Sequence, residues 1–436
     1  MAESTWQPPK GLSKQELIDI SDRVLSEPDI ELREYEDLFR LRVAGLDWDI
    51  GAMVYEPNDP TYSHVSADGR RSGMLMTHGG ASDWRSVEPY ARVLAQKRGF
   101  KVVNLTFPGR LYLPDPSRDW PGDTTLPDGS LRTPIWQEGE EISRDQYDIV
   151  QEDSHKHIYG TRSFARAKPG TVFHARMAAW PLAFEEAMKD LCRRHFAVDD
   201  YSIYTHGHST GGPFSHMILQ RVENIVGVAG IENSTFAYIF REMTGHDWPN
   251  PFNDLLVRNW RELARYKGAE LFLQEGGEPL MRLPWVMEEI FEMWDEVKRF
   301  PQIKAEYFFH IHSISALTEA ATITAQRLNM SVSDQQNLVD HYIGMGRPLT
   351  GDGVKSVPPL LYIINKFSRD HTPEKYYGVM LPMLEKIKPV PRTRIIEFGT
   401  GIHSYWRPEE GLPMGLVPPA VDLVCNAIEG GYYLDT

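Results

Sequence analysis

Cysteine is scarce in this chain: Cys192 and Cys425 are the only two in 436 residues, and neither belongs to a CxxC pair. A disulfide framework and a thiolate metal site are therefore both excluded as the basis of the fold, and the two thiols read as ordinary core residues. Positive charge is also in deficit, with 46 Lys and Arg against 61 Asp and Glu for a net charge of −15. That balance argues against a nucleic acid or an anionic membrane surface as partner. No stretch has the length and apolarity to span a bilayer, and the opening MAESTWQPPKGLSKQEL lacks the apolar h-region of a secretory signal, so a cytoplasmic protein is the expectation. No repeat period or low-complexity tract stands out. Metal-ligand patterns are missing as well. Asp115, Asp119, Asp123 and Asp128 do not form the ladder of an EF-hand loop, and His310 and His312, two apart, diverge on a strand or a helix. The expectation is no metal and no organic cofactor.

Core-forming residues are plentiful. Hydrophobic residues make up 41% of the chain and aromatics 11%, enough to bury a large core in one elaborated domain or two lobes. SKQELIDISDRVL reads as an amphipathic helix, and FRLRVAGLDWDIGAMVYEP as a hairpin around GLD. GMLMTHGG, VEPYARVLAQKRG and FKVVNLTFPG then alternate strand, helix, strand, with the continuous apolar strands of a parallel sheet. The pattern resumes in the helix ARMAAWPLAFEEAMKDLCRR, the strand YSIYTHGH, the helix PFSHMILQRVEN and the strand IVGVAGIE. It closes with PPLLYIINKF, TRIIEFG and the helix AVDLVCNAIEGG. Two insertions interrupt it. Residues 109–172 read as a long loop excursion, too rich in Pro, Asp and Gly for regular structure, and residues 233–354 as an almost wholly helical cap. The core is thus 1–232 with 355–436, a mostly parallel α/β sheet flanked by helices.

At the join of strand and helix, YTHGHSTGGPFSH spells G-x-S-x-G over residues 207–211. A serine there sits on a turn sharp enough to hold its hydroxyl out of the sheet, and the flanking glycines leave room for neighbouring backbone. A serine hydroxyl attacks carbonyl carbon only when a base takes its proton, and that base needs an orienting carboxylate. In this arrangement acid and histidine follow the serine in loops after later strands. His403, beyond RIIEFG, fits the base, whereas His206 and His208 lie too near Ser209 in sequence for that role. Asp370, beyond LLYIIN, is the first choice of acid, and Glu232, at the end of GVAGIE, is the alternative one strand earlier. Two backbone N–H donors are needed for the oxyanion. Thr210, directly after the serine, supplies one; Gly80 supplies the other, with Gly79 or Ala81 as alternatives in the loop after GMLMTHGG.

With these residues in view, the sequence resembles the α/β-hydrolase superfamily. The resemblance is carried by HGG at 78–80, GHSTGG at 207–212, Asp370 in SRDHTP and His403 in GIHSYW, and covers roughly 40–110, 175–235 and 355–430. It implies an α/β-hydrolase fold with an inserted helical cap. In similar enzymes such a cap builds an apolar acyl or alcohol pocket, here with Trp248, Trp260, Trp285, Trp294, Phe308 and Phe309 available, although packing between cap helices is the better-supported account of any one of these aromatics. A serine nucleophile, where the dehalogenase and epoxide-hydrolase branches use aspartate, argues against those two chemistries.

The function expected is a serine hydrolase, esterase- or lactonase-like, acting on a small-molecule ester, lactone or amide. Carbon–carbon bond hydrolysis and acyl transfer use the same constellation and stay open, as does a non-catalytic ligand-binding protein on a hydrolase scaffold. Self-association into a homo-oligomer is compatible with the sequence, which shows no legible interface.

Overall fold

The structure is a computed structural model. Apart from a few isolated positions it describes residues 9–43, 46–79, 84–108, 147–152, 162–167, 172–209, 211–233, 303–304, 329–346, 355–368, 376–385 and 389–434. The strands are β1 (Gly11–Leu12), β2 (Leu32–Val43), β3 (Leu46–Pro57), β4 (Arg71–Thr77), β5 (Lys101–Thr106), β6 (Tyr147–Glu152), β7 (Arg162–Ala167), β8 (Tyr201–Gly207), β9 (Ile225–Ile231), β10 (Ile303–Lys304), β11 (Leu360–Asn365) and β12 (Thr393–Phe398). The helices used below are α1 (Lys14–Ser26), α2 (Glu88–Arg98), α3 (Val172–His195), α4 (Gly211–Met217), α5 (Val332–Gly346) and α6 (Val417–Glu429).

Each core element forms for a local reason. Ser13 caps α1 through a capping box, its hydroxyl accepting from Glu16 N at 3.3 Å while the Glu16 carboxylate accepts from Ser13 N at 2.8 Å. β2 and β3 pair antiparallel along their full length, the expected hairpin with its first strand extended back from Phe39 to Leu32. β4, β8 and β11 are buried almost from end to end, as strands covered on both faces must be. These strands join a nine-stranded sheet of order β1-β12-β11-β9-β8-β4-β5-β3-β2. Every pairing from β1 to β5 in that order is parallel, and the β2–β3 hairpin adds antiparallel to β5.

Alternate residues of each strand serve opposite faces. Met74, Val102, Tyr204, Ala229 and Leu361 join the cluster built with Leu17 and Val24 of α1, Leu94 of α2 and Val421 and Val424 of α6. Each Val, Leu or Met side chain among them contributes about 1.5–3 kcal/mol by leaving water. Asp422 ties the three helices together, accepting from Arg23 at 2.7 Å and Arg98 at 3.1 Å. A second helical layer comes from α3 and α4, where Phe184 stacks on Phe214 at 3.9 Å between ring centres and both meet Phe107 edge-on.

Two local expectations change. The excursion is not without regular structure: β6 and β7 pair antiparallel, and β10, from the expected cap, adds parallel to β7, so the two insertions meet in one small sheet. YDIVQE and RSFARA are short runs without Pro or Gly inside a stretch whose overall composition suggested only loop. The helix after the serine is also shorter than PFSHMILQRVEN suggests. Thr205 Oγ1 donates to the Ser215 carbonyl at 2.7 Å, the acceptor a continuing helix would give to residue 219, and Leu219 N bonds His216 O instead. Most of 233–354 lies outside the described residues, with α5 and β10 as its described elements. Among the described residues no helix is long and apolar enough to cross a membrane.

The chain places β5 on one side of β4 and β8 on the other, so strand order reverses at β4. In an open α/β sheet, the crevice beyond the carboxyl ends of the strands at such a switch point is where a ligand fits.

Candidate active site

Ser209 follows β8 by one residue, His208, at that switch point. Its φ is +51°, in the left-handed region that residues with a Cβ rarely adopt, a conformation that costs on the order of 1–3 kcal/mol and persists only when surroundings hold it. The surroundings are visible. Ser209 N donates to Glu232 O at 2.9 Å, Gly211 N to His208 O at 2.7 Å, Gly212 N to Ser209 O at 2.8 Å, and His208 N to Thr77 O at 3.1 Å. Gly207 has to be glycine, since a Cβ there would run into the Gly211 backbone. Ser209 keeps partial exposure while the strand before it is buried.

Glu232 follows β9 and is fully buried, also at positive φ, +52°. Its carboxylate accepts from Asn365 N at 2.7 Å, from the Ser368 hydroxyl at 2.5 Å and from His403 Nδ1 at 3.1 Å. Burial pushes this carboxyl above its ordinary range, and the His403, Ser368 and Asn365 donors pull against that. With Nδ1–H committed to a carboxylate, the lone pair of a neutral His403 sits on Nε2. The His403 side chain keeps 23% exposure.

The loop after β12 that carries His403 is tied to its neighbours. Asn365, at the end of β11, donates from Nδ2 to Ile402 O at 2.8 Å, Phe367 N donates to Gly401 O at 2.9 Å, and Gly401 takes a φ of +87°. The His403 ring has two others beside it, His208 at 4.5 Å and His371 at 5.0 Å between centres. Across the switch point Gly79, after β4, packs so closely that a Cβ there would lie 2.5 Å from His208 Nδ1 and 3.3 Å from Ser209 Cβ.

The structure therefore brings Ser209, Glu232, His403 and Gly79 to the carboxyl ends of β8, β9, β12 and β4. Asp370, Thr210, Gly80 and Ala81 lie outside the described residues, as do Trp248, Trp260, Trp285, Trp294, Phe308 and Phe309. Of the two carboxylates named from sequence, Glu232 is the one seen on His403. Asn365, Ser368, His208 and His371 were not picked out as contributors. The first two were legible only as the end of LLYIIN and the turn before Asp370, and nothing in that pattern announces donors to a glutamate one strand away.

This strand order, with a serine turn after β8 and histidine and carboxylate on loops after later strands, is the α/β-hydrolase fold. No family model and no curated protein matches the chain. Solved structures similar to it include the peroxisomal alpha-beta-hydrolase Lpx1 of Saccharomyces cerevisiae, at 12% identity over 91% of this chain and 88% of that one with a TM-score of 0.35. An S-formylglutathione hydrolase from Staphylococcus aureus is 12% identical over 85% and 92%, with a TM-score of 0.32. A Pyrococcus furiosus esterase is 12% identical over 91% and 89%, with a TM-score of 0.33. Superpositions this loose leave the fold to be defined by the chain's own topology.

Proposed function

We propose that this protein is a serine hydrolase that cleaves a carboxylic ester, lactone or amide through an acyl-enzyme on Ser209. The observation that carries the reading is the contact of His403 Nδ1 with buried Glu232 at 3.1 Å, beside a serine held at positive φ on a strand-to-helix turn. Ser209 Oγ attacks the carbonyl carbon as its proton passes to His403 Nε2, and Glu232 steadies the imidazolium. Backbone N–H groups of Thr210 and Gly80, with Gly79 as the alternative, hold the oxyanion. Collapse expels the leaving group with the proton from His403. Water then attacks the acyl carbon with His403 as base, releasing the acid and restoring the serine. Glu232 takes the acid role in this reading, in place of Asp370.

An ester with an apolar part suits the rim. Phe367 and Ile402, 58% and 43% exposed, sit on the two loops joined by the Phe367–Gly401 hydrogen bond, next to His403. The test is turnover of p-nitrophenyl esters from acetate to decanoate by wild type and Ser209→Ala. The expected result is hydrolysis that Ser209→Ala loses by about 1,000-fold or more. Equal turnover by both proteins would overturn the assignment.

A further inference from the structure

We infer that His208, the residue before the nucleophile, is a positioning residue that fixes the catalytic loop of His403 against the serine turn. The inference rests on the serine-hydrolase reading and extends it to a group that reading does not use. His208 Nε2 lies 3.0 Å from the carbonyl oxygen of His403. A carbonyl can only accept, so the His208 proton is on Nε2 and Nδ1 carries a lone pair. Nδ1 is buried without a hydrogen-bond partner and faces Gly79. His208 is 4% exposed, and its ring stacks on the His403 ring at 4.5 Å and 29° and meets Trp406 edge-on at 4.8 Å.

One side chain thus touches the loops after β4 and β12 while belonging to the turn that carries Ser209. The bond is made to the main chain of His403 itself, so it fixes the point from which the imidazole projects. The stack limits how far that imidazole can tilt. A base displaced by about 1 Å costs on the order of 100-fold in rate, which sets the scale of what this single bond can control. A positioning group so close to His403 must also stay neutral, because a second cation would oppose the imidazolium formed in each half-reaction. Burial first, and then the neighbouring His403, hold His208 well below the ordinary imidazole range. Gly79 makes room for the ring, since a Cβ there would run into its Nδ1.

The substitution set separates donor from filler. Glutamine carries its amide nitrogen the same number of bonds from Cα as imidazole Nε2, so His208→Gln keeps the donor to His403. His208→Phe keeps the ring and loses the donor, and His208→Asn keeps a polar group that cannot reach. Steady-state kinetics with p-nitrophenyl acetate, beside thermal midpoints, give the readout. The expected result is kcat lower by about 30-fold in the Phe and Asn variants with KM within about threefold, and kcat within about fivefold of wild type in His208→Gln. Should the Phe variant fail to fold, the Gln and Asn pair, alike in size and polarity, decides. Wild-type kcat in the Asn or Phe variant, or a Gln variant as slow as Asn, overturns the positioning role alone. A wild type no faster than Ser209→Ala overturns the hydrolase reading and this role together.

Discussion

Replacing Glu232 by glutamine separates the two carboxylates that the sequence offered. The carboxylate accepts three hydrogen bonds, from Asn365 N on Oε1 and from Ser368 and His403 on Oε2. An amide offers one oxygen and one NH2. If its oxygen stays towards His403, the NH2 faces the Asn365 N–H and leaves a buried donor unmatched, a cost of about 1–3 kcal/mol. Part of that returns, because burial already raises the carboxyl above its ordinary range and the variant removes a buried charge. If the amide flips, Nδ1 of His403 meets a donor, the ring proton moves to Nε2, and the base can no longer take the serine proton. Either way the negative charge opposite the imidazolium is gone. The expected loss in kcat is about 1,000- to 10,000-fold, or about 4–5.5 kcal/mol of transition-state stabilisation, with KM little changed. Asp370→Asn is expected to stay within about threefold of wild type, a change worth less than about 1 kcal/mol. Steady-state hydrolysis of p-nitrophenyl acetate by both variants, with thermal unfolding to establish that each is folded, gives the comparison. An Asp370→Asn enzyme that is crippled beside an intact Glu232→Gln enzyme would refute the reasoning.

Buried neutral histidines make stability depend on pH. Burial holds His206 and His216 down at about 4, against 6.5 for an exposed imidazole. The unfolded chain then binds protons that the folded chain does not between those values. Stability is full above pH 6.5 and falls between pH 6.5 and about 4, by about 3 kcal/mol for each histidine. Urea unfolding from pH 7.5 to 4.5 should show it, and a flat profile would contradict these shifts. In Gly207→Ala a Cβ meets the Gly211 backbone, so the variant should lose about 3 kcal/mol or fail to fold, whereas a wild-type melting temperature would mean the serine turn is looser than described. Tyr405→Phe removes a hydroxyl 3.2 Å from His206 Nε2 in the core and should cost about 1 kcal/mol in chemical denaturation; no change would mean that this contact is not formed.

Much of the sheet was legible because the parallel strands β4, β5, β8, β9, β11 and β12 are short, largely apolar runs, most of them with glycine or proline close by, and because α1 and α2 carry their own stop signals. The serine turn was legible for the same reason: G-x-S-x-G reports a backbone constraint, and Ser209 does take the positive φ that constraint implies. The partner of His403 was harder. Asp370 and Glu232 both follow strands in suitable order, and what distinguishes Glu232 is a set of donors from β11 and the turn after it, a pairing across the sheet that one-dimensional spacing does not encode. β6, β7 and β10 escaped because composition averaged over a long polar stretch hides six-residue strands, and because β10 pairs with residues about 140 positions earlier in the chain.

The central claim is that Ser209 is a nucleophile activated by His403. Labelling with a fluorophosphonate, followed by intact mass and peptide mapping, tests it without knowledge of the substrate. The account predicts one adduct on Ser209 in wild type, none in Ser209→Ala, and labelling slowed by about 1,000-fold or more in His403→Ala. A folded wild-type protein that takes no label, or a label on Ser209 that forms equally fast without His403, would contradict it.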